Sequence, residues 1–250
     1  MRRALIATIL LLGLGVGQAL VPVATVQAAE TAASTTKGEQ DWLAKLNTKI
    51  DLAQAKVAVL RAKIALEIEK SPERAKRALD DAEARLLEAK EEASAEVSKR
   101  IDSLLKDVRA ARAAVTGAPA TARQNVNELV ENIEERIQGH GKTVLETDEA
   151  KLLKKRYAQL EAQAALLKAQ LAEKADKTGK QAISYLDKAK AWYAEAKANA
   201  SKKWHDTLTA TSDRIDAAKE TVQNRREKAG EAIVDLAKRA ADLVRGEKRE

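Results

Sequence analysis

Residues 41–70 read DWLAKLNTKIDLAQAKVAVLRAKIALEIEK, and the spacing inside this stretch decides the fold class. Leu43, Leu46, Ile50, Ala53, Val57, Leu60 and Ile64 follow one another in alternating steps of three and four. That rhythm places them in one stripe along an α-helix and matches a heptad seam. The words that follow, Ser71-Pro72-Glu73, read as the start of a second helix. A serine can cap it, proline at the first helical position loses no needed donor, and an acid sits in the first turn. The first helix is therefore expected to end near Lys70.

Outward from that stretch the same pattern persists. A second series runs Ala75, Leu79, Ala82, Leu86, Ala89, Ala93, Val97, Ile101, Leu104, Val108, Ala111 and Val115, closed by Gly117-Ala118-Pro119. Its consecutive steps of four from Ala89 to Ile101 make the seam drift toward an eleven-residue spacing. As one helix it would be about 65 Å long at 1.5 Å per residue. Residues 41–116 are thus expected to form a helical hairpin or a kinked pair of long helices. Thr121 can cap a short helix over 121–138, and Gly139-His140-Gly141 ends it. Residues 144–250 read as a basic helical region: one helix from about Thr147 with Leu153, Tyr157, Leu160, Ala164, Leu167 and Leu171, then a last one from about Gln181 to Arg245 with Gly230 as a possible kink. No repeat of fixed length is evident, so a solenoid is not expected. The fold class implied is all-α: alanine-rich amphipathic helices in an elongated antiparallel coiled coil or helical bundle.

Composition supports helix over other structure. Of 250 residues 33% are charged and 2% aromatic, with three prolines and no cysteine or phenylalanine. The abundant residues are strong helix formers. Alanine seams bury little area apiece, so marginal stability as a monomer and self-association are expected. The N-terminus predicts export: Arg2-Arg3, an apolar stretch from Ala4 to Val26, and Val26-Gln27-Ala28 as a cleavage site give a signal peptide over 1–28, followed by a flexible leader over 29–40. An uncleaved anchor is the alternative. The compartment implied is the periplasm or cell envelope, where the lack of cysteine removes disulfide and thiol chemistry. Net charge is +7. Residues 30–150 hold 20 basic and 23 acidic side chains and residues 151–250 hold 23 and 15, so the later part carries the positive field.

Enzymatic chemistry finds little support. His140 and His205 are the only histidines, one between glycines and the other beside Asp206, and both read as solvated side chains. Phosphate loops, nucleophile elbows and calcium loops are missing from the sequence. Acid pairs such as Glu134-Glu135 would need a concave dry pocket, which thin alanine seams are not expected to form. No catalytic, cofactor-binding or metal-binding residue is therefore expected. The local signal is an aromatic and basic cluster, Lys188, Lys190, Trp192, Tyr193, Lys197, Lys202, Lys203 and Trp204, suited to an anionic surface. Trp192 and Trp204 also fall on one apolar stripe, where seam packing explains them.

The stretch from Ala217 to Glu231, AAKETVQNRREKAGE, resembles the eleven-residue units of late-embryogenesis-abundant stress proteins. The alternation of amphipathic helices is similar to that of exchangeable apolipoproteins. Neither likeness assigns a role to a residue. The sequence points to an exported, non-enzymatic structural or interaction protein of the envelope, partnered by its own copies or by another helical protein. The alternatives are a lipid-binding or anionic-membrane-binding helical protein and a stress protectant. Neither nucleic acid nor a small-molecule substrate is expected as a partner.

Overall fold

The structure, a computed structural model, describes residues 23–138, 147–175, 179–224 and 226–246. Among them are eight α-helices and no strand: α1 (Val23–Glu67), α2 (Pro72–Glu92), α3 (Ala95–Gly117), α4 (Pro119–Gln138), α5 (Asp148–Ala175), α6 (Lys180–Ala198), α7 (Lys202–Asn224) and α8 (Arg226–Gly246). The chain divides into two units, Met1–Gly38 and Glu39–Glu250. In the first, the described residues from Val23 are helical, so the leader expected over 29–40 lies inside α1. Residues 1–22, most of the expected signal, lie outside the described residues. No helix among the described residues is long and apolar enough to cross a membrane.

Local chemistry sets the helix ends in the second unit. Lys70 takes a left-handed conformation (φ 53°), and the Ser71 hydroxyl accepts a hydrogen bond from the Arg74 amide at 3.4 Å ahead of Pro72. Thr147 caps α5 in the same way, accepting from the Ala150 amide at 3.2 Å. Gly179 enters α6 at φ 70°, which a glycine adopts without strain. Three breaks fall where neither glycine nor proline marks them: at Ala93-Ser94, where Ser94 is extended, at Asn199–Ser201, and between Asn224 and Arg226, so the last helix expected over about 181–245 is three helices. The series from Ala75 to Val115 is therefore two helices, and its run of fours from Ala89 to Ile101 straddles the break. Gly230 lies inside α8.

The helices pair antiparallel. Along α2 and α3, Lys90 meets Asp102 at 2.5 Å, Glu83 meets Arg109 at 2.7 Å and Asp80 meets Arg112. Along α6 and α7, Lys197 meets Thr209 at 2.7 Å, Lys190 meets Asp216 at 2.6 Å and Asp187 meets Lys219 at 2.5 Å. Each rung of the second ladder lies 107 positions after its counterpart in the first, the interval from Asp80 to Asp187.

That interval runs through the core. Ala75, Leu79, Ala82, Leu86 and Ala89, the buried residues of α2, become Ala182, Leu186, Ala189, Tyr193 and Ala196, those of α6. In α3, Ile101, Leu104, Val108, Ala111 and Val115 become Leu208, Thr211, Ile215, Ala218 and Val222 in α7. In α4, Ala122, Val126, Leu129, Ile133 and Ile137 become the buried Ala229, Ile233, Leu236, Ala240 and Val244 of α8. The unit is thus built from two copies of one four-helix motif, a repeat the sequence alone did not disclose. In the second copy α5 packs on α6 and α8, with α7 closing the ring, an up-and-down arrangement that encloses a shared core.

α1 and α5 hold equivalent places and are buried on almost every side from Leu52 to Leu66 and from Ala158 to Ala172. The pairs Lys154–Trp42 and Lys56–Glu161 fall in the same order along both helices, so α1 and α5 lie side by side and point the same way. A pseudo-two-fold axis running along this central pair relates the two copies.

Burial has an electrostatic consequence in α1. The Asp51 carboxyl is pushed up to about 7, first by burial and then by Glu88 and Glu92 across from it on α2, against the pull of Arg156 and Arg85. A folded-state value above the ordinary 3.8 means that the fold holds a proton the unfolded chain releases. Stability should therefore fall as pH rises from about 4 to about 7. Asp51→Asn is expected to leave stability unchanged at pH 4 and to raise it at pH 8 by about 1–2 kcal/mol, allowing for partial solvent screening. Urea denaturation at the two pH values measures this; an equal effect at both would refute it.

Candidate functional site

The pseudo-two-fold axis generates two equivalent clefts beside the central helices, and the side chains have made them different. The first lies between α5 and α6 of one copy and α1 and α4 of the other. It is filled. Lys56 on α1 donates to both carboxylate oxygens of Glu161 on α5 at 2.6 Å and lies 3.8 Å from Glu134 on α4. Lys168 binds the same Glu134 at 2.5 Å. Tyr157, Tyr185 and Trp192 wall this network, with Tyr157 and Trp192 edge-on at 5.7 Å. Burial, then the nearby Glu161 and Glu195, raise the Tyr157 phenol well above its usual range. About 250 Å³ of space remains.

The second cleft, between α1 and α2 of one copy and α5 and α8 of the other, is open at about 720 Å³. That size falls in the range of small-ligand sites. Its floor is apolar, formed by Val57, Ile64, Leu160, Leu167, Val234 and Ala237 among others. Its walls carry Arg61, Arg74, Arg77, Arg85, Lys238 and Arg245 against two acids, Glu69 and Asp81. Arg74 is 3.1 Å from Glu69, Arg85 is held by Glu88 and Arg245 by Asp242. No ion pair within 4.0 Å closes on Arg61 or Arg77 among the described residues. Burial, then the neighbouring Arg245, lowers the Arg61 guanidinium's affinity for its proton, with Asp81 opposing. Gln163 lines the cleft, is 2% exposed, and its amide nitrogen has no hydrogen-bond partner among the described residues.

Pseudo-symmetry explains the contrast residue by residue. Lys168 corresponds to Arg61, Glu134 to Ala241, Glu161 to Gln54 and Lys56 to Gln163, while the rings of Tyr185 and Trp192 correspond to Ala78 and Arg85. The open cleft has a cation at the equivalent place and lacks the two carboxylates and the aromatic plug. The absence of a concave site expected from the thin seams is corrected here. The cleft arises where four helices meet, not along any single seam.

The aromatic and basic cluster read from sequence is dispersed by the fold. Tyr193 is 1% exposed and packs in the core, so it is not available to a surface, and its hydroxyl has no hydrogen-bond partner among the described residues. Trp192 faces Tyr157, and Trp204 sits under the buried Lys155 ammonium, 4.4 Å from its ring centre. Lys190 and Lys197 are engaged by Asp216 and Thr209. Lys188, Lys202 and Lys203 remain at the surface, with Lys188 5.2 Å from the Tyr185 ring and Lys203 5.9 Å from that of Trp204. Beside Trp204, a further hollow of about 410 Å³ is lined by Thr207, Arg214, Arg239 and Leu243. Replacing Tyr193 with Phe removes a buried hydroxyl that no group among the described residues satisfies. It is expected to raise stability by about 1 kcal/mol in urea titrations; a loss of that size would show that the hydroxyl is bonded after all.

His140 lies outside the described residues. The His205 ring nitrogen is 3.3 Å from the Ala200 carbonyl oxygen, and His205 lines neither cleft. No group of three or more His, Cys, Asp or Glu side chains able to hold a metal occurs among the described residues. The cations of the open cleft come mainly from α1 and α2, in the part of the chain whose net charge is negative, which is why a charge count by halves does not find them. Comparison with family models, curated proteins and solved structures returns no match.

Proposed function

We propose that this chain is a non-enzymatic binding protein of the cell envelope, exported by the signal over residues 1–28, that captures an anionic partner in the open cleft. One observation carries the reading: six cationic side chains face two acids around a concave apolar floor. Cations that outnumber the acids around them favour an anion, and a concave wall focuses their field. The alternative of self-association through exposed seams has less to draw on. The apolar stripes are consumed within the chain, and among the described residues only Leu87 and Leu152 are large exposed hydrophobics. In the same reading the paired helices α2/α3 and α6/α7 are antiparallel coiled-coil hairpins that brace the central pair.

The test compares the wild type with the double variant Arg61→Glu, Arg77→Glu. Thermal melts are recorded with dodecanoate, inorganic phosphate, a glutamate-rich peptide and phosphatidylglycerol vesicles. At least one anion should raise the melting temperature of the wild type and leave the variant unchanged. If none does, or if the variant responds equally, the cleft is not the binding site. Binding to vesicles that survives in the variant but is lost with Lys188→Glu, Lys202→Glu, Lys203→Glu would instead favour the membrane-surface reading of α6 and α7.

A further inference from the structure

The filled cleft describes the ligand that the open one lacks. In it, a carboxylate from Glu134 bridges Lys168 at 2.5 Å and Lys56 at 3.8 Å, and rings occupy the space beyond. In the open cleft Arg61 stands for Lys168 and Gln163 stands for Lys56, but Ala241 replaces Glu134 and Ala78 replaces Tyr185. A cation and a buried amide donor are therefore left around an absent carboxylate, next to apolar space that no side chain fills. The unpartnered nitrogen of Gln163 is an independent sign: a buried amide without an acceptor is costly unless something outside the chain supplies one.

We infer that the open cleft binds a single-chain carboxylate amphiphile. Its carboxylate sits between Arg61 and Gln163, in the place that the Glu134 carboxylate holds in the filled cleft. Its chain lies along the apolar floor, where the second copy places aromatic rings. The floor runs beside α8 from Val234 to Val244, about 15 Å at the helical rise, long enough for an extended alkyl chain. Arg74, Arg77 and Lys238 at the wall supply attraction at longer range and do not fix the head. The inference rests on the cationic-cleft reading above and narrows it to one ligand class.

Calorimetric titration of the full chain with monomeric dodecanoate tests it, with octanoate and dodecyltrimethylammonium as comparisons. Dodecanoate should bind one per chain. Octanoate should bind on the order of a hundred-fold more weakly, because methylene burial carries the affinity. The ammonium amphiphile should not bind. Arg61→Ala should weaken dodecanoate by roughly ten- to hundred-fold, the factor expected for a charge-assisted hydrogen bond. The sharper variant is Ala241→Glu, which restores the carboxylate present at the equivalent position. It should leave the helical circular-dichroism spectrum and cooperative melt intact and abolish dodecanoate binding.

Wild-type affinity in a folded Ala241→Glu variant would overturn the inference, as would equal binding of the two dodecyl amphiphiles. If that variant fails to fold, Gln163→Leu provides the same decision, since it removes the head-group donor without adding charge. Should dodecanoate fail while the glutamate-rich peptide binds in an Arg77-dependent way, the amphiphile is refuted and the cationic-cleft reading stands. Should no anion bind, both fall.

Discussion

Replacing Lys56 with Met should lower the stability of the fold by about 3–5 kcal/mol, whereas the double variant Lys56→Gln, Glu161→Gln should unfold within about 1 kcal/mol of the wild type. Lys56 and Glu161 are 3% and 8% exposed, and the ammonium reaches both carboxylate oxygens at 2.6 Å. Removing the lysine alone strands Glu161 between two central helices without its main counter-charge. Lys168 stays on Glu134 at 2.5 Å, and no ion pair within 4.0 Å joins it to Glu161 among the described residues. Removing both charges is different, because the chain already shows the outcome. Across the pseudo-two-fold axis the same two places are held by Gln163 and Gln54, and the helices pack there without a charge pair. Urea denaturation followed by circular dichroism decides the matter. A double variant as unstable as the single one would mean that the ion pair itself, not the avoidance of a lone charge, holds α1 to α5.

The helical class was legible from residues 41–70 because a period near 3.6 survives in any helix that buries one face. The ends at Ser71-Pro72, Gly117–Pro119 and Thr147 were legible because their chemistry is local. The breaks at Ser94, at Ser201 and between Asn224 and Arg226 were not: no glycine or proline marks them, and helix propensity stays high on both sides. The duplication was hidden for a related reason. Packing conserves which positions are buried but not what fills them, so Leu86 became Tyr193, Leu104 became Thr211 and Ile133 became Ala240. The surviving traces are short, Glu88-Ala89-Lys90 against Glu195-Ala196-Lys197 and Ala93-Ser94 against Ala200-Ser201. They disclose a repeat only once the interval is known. The cleft was beyond reach for a third reason: its residues come from α1, α2, α5 and α8, and nothing local in any of the four marks them as neighbours. Tyr193 illustrates the reverse error. Its type and its lysine neighbours suggest a surface, while its place in the repeat, opposite Leu86, puts it in the core.

The duplication makes an energetic claim that can be tested without knowing any ligand. Leu79 and Leu186 are both fully buried and hold equivalent places in α2 and α6. Truncating either to Ala removes the same apolar volume from the same kind of seam, flanked by alanines at Ala75 and Ala82 or at Ala182 and Ala189. Neighbours that small cannot swing in to fill the void, so each variant should lose about 2–5 kcal/mol, toward the upper end of what core leucines show. Because the two sites belong to different copies and share no partner helix, the double variant should lose the sum of the two within about 0.5 kcal/mol. A Leu186→Ala loss below about 1 kcal/mol beside a full loss at Leu79 would mean that the second copy relaxes where the first does not, and that the two are alike in layout only. A double variant falling well short of additivity would mean that α2 and α6 communicate through the central pair, so that filling or emptying one cleft is felt in the other.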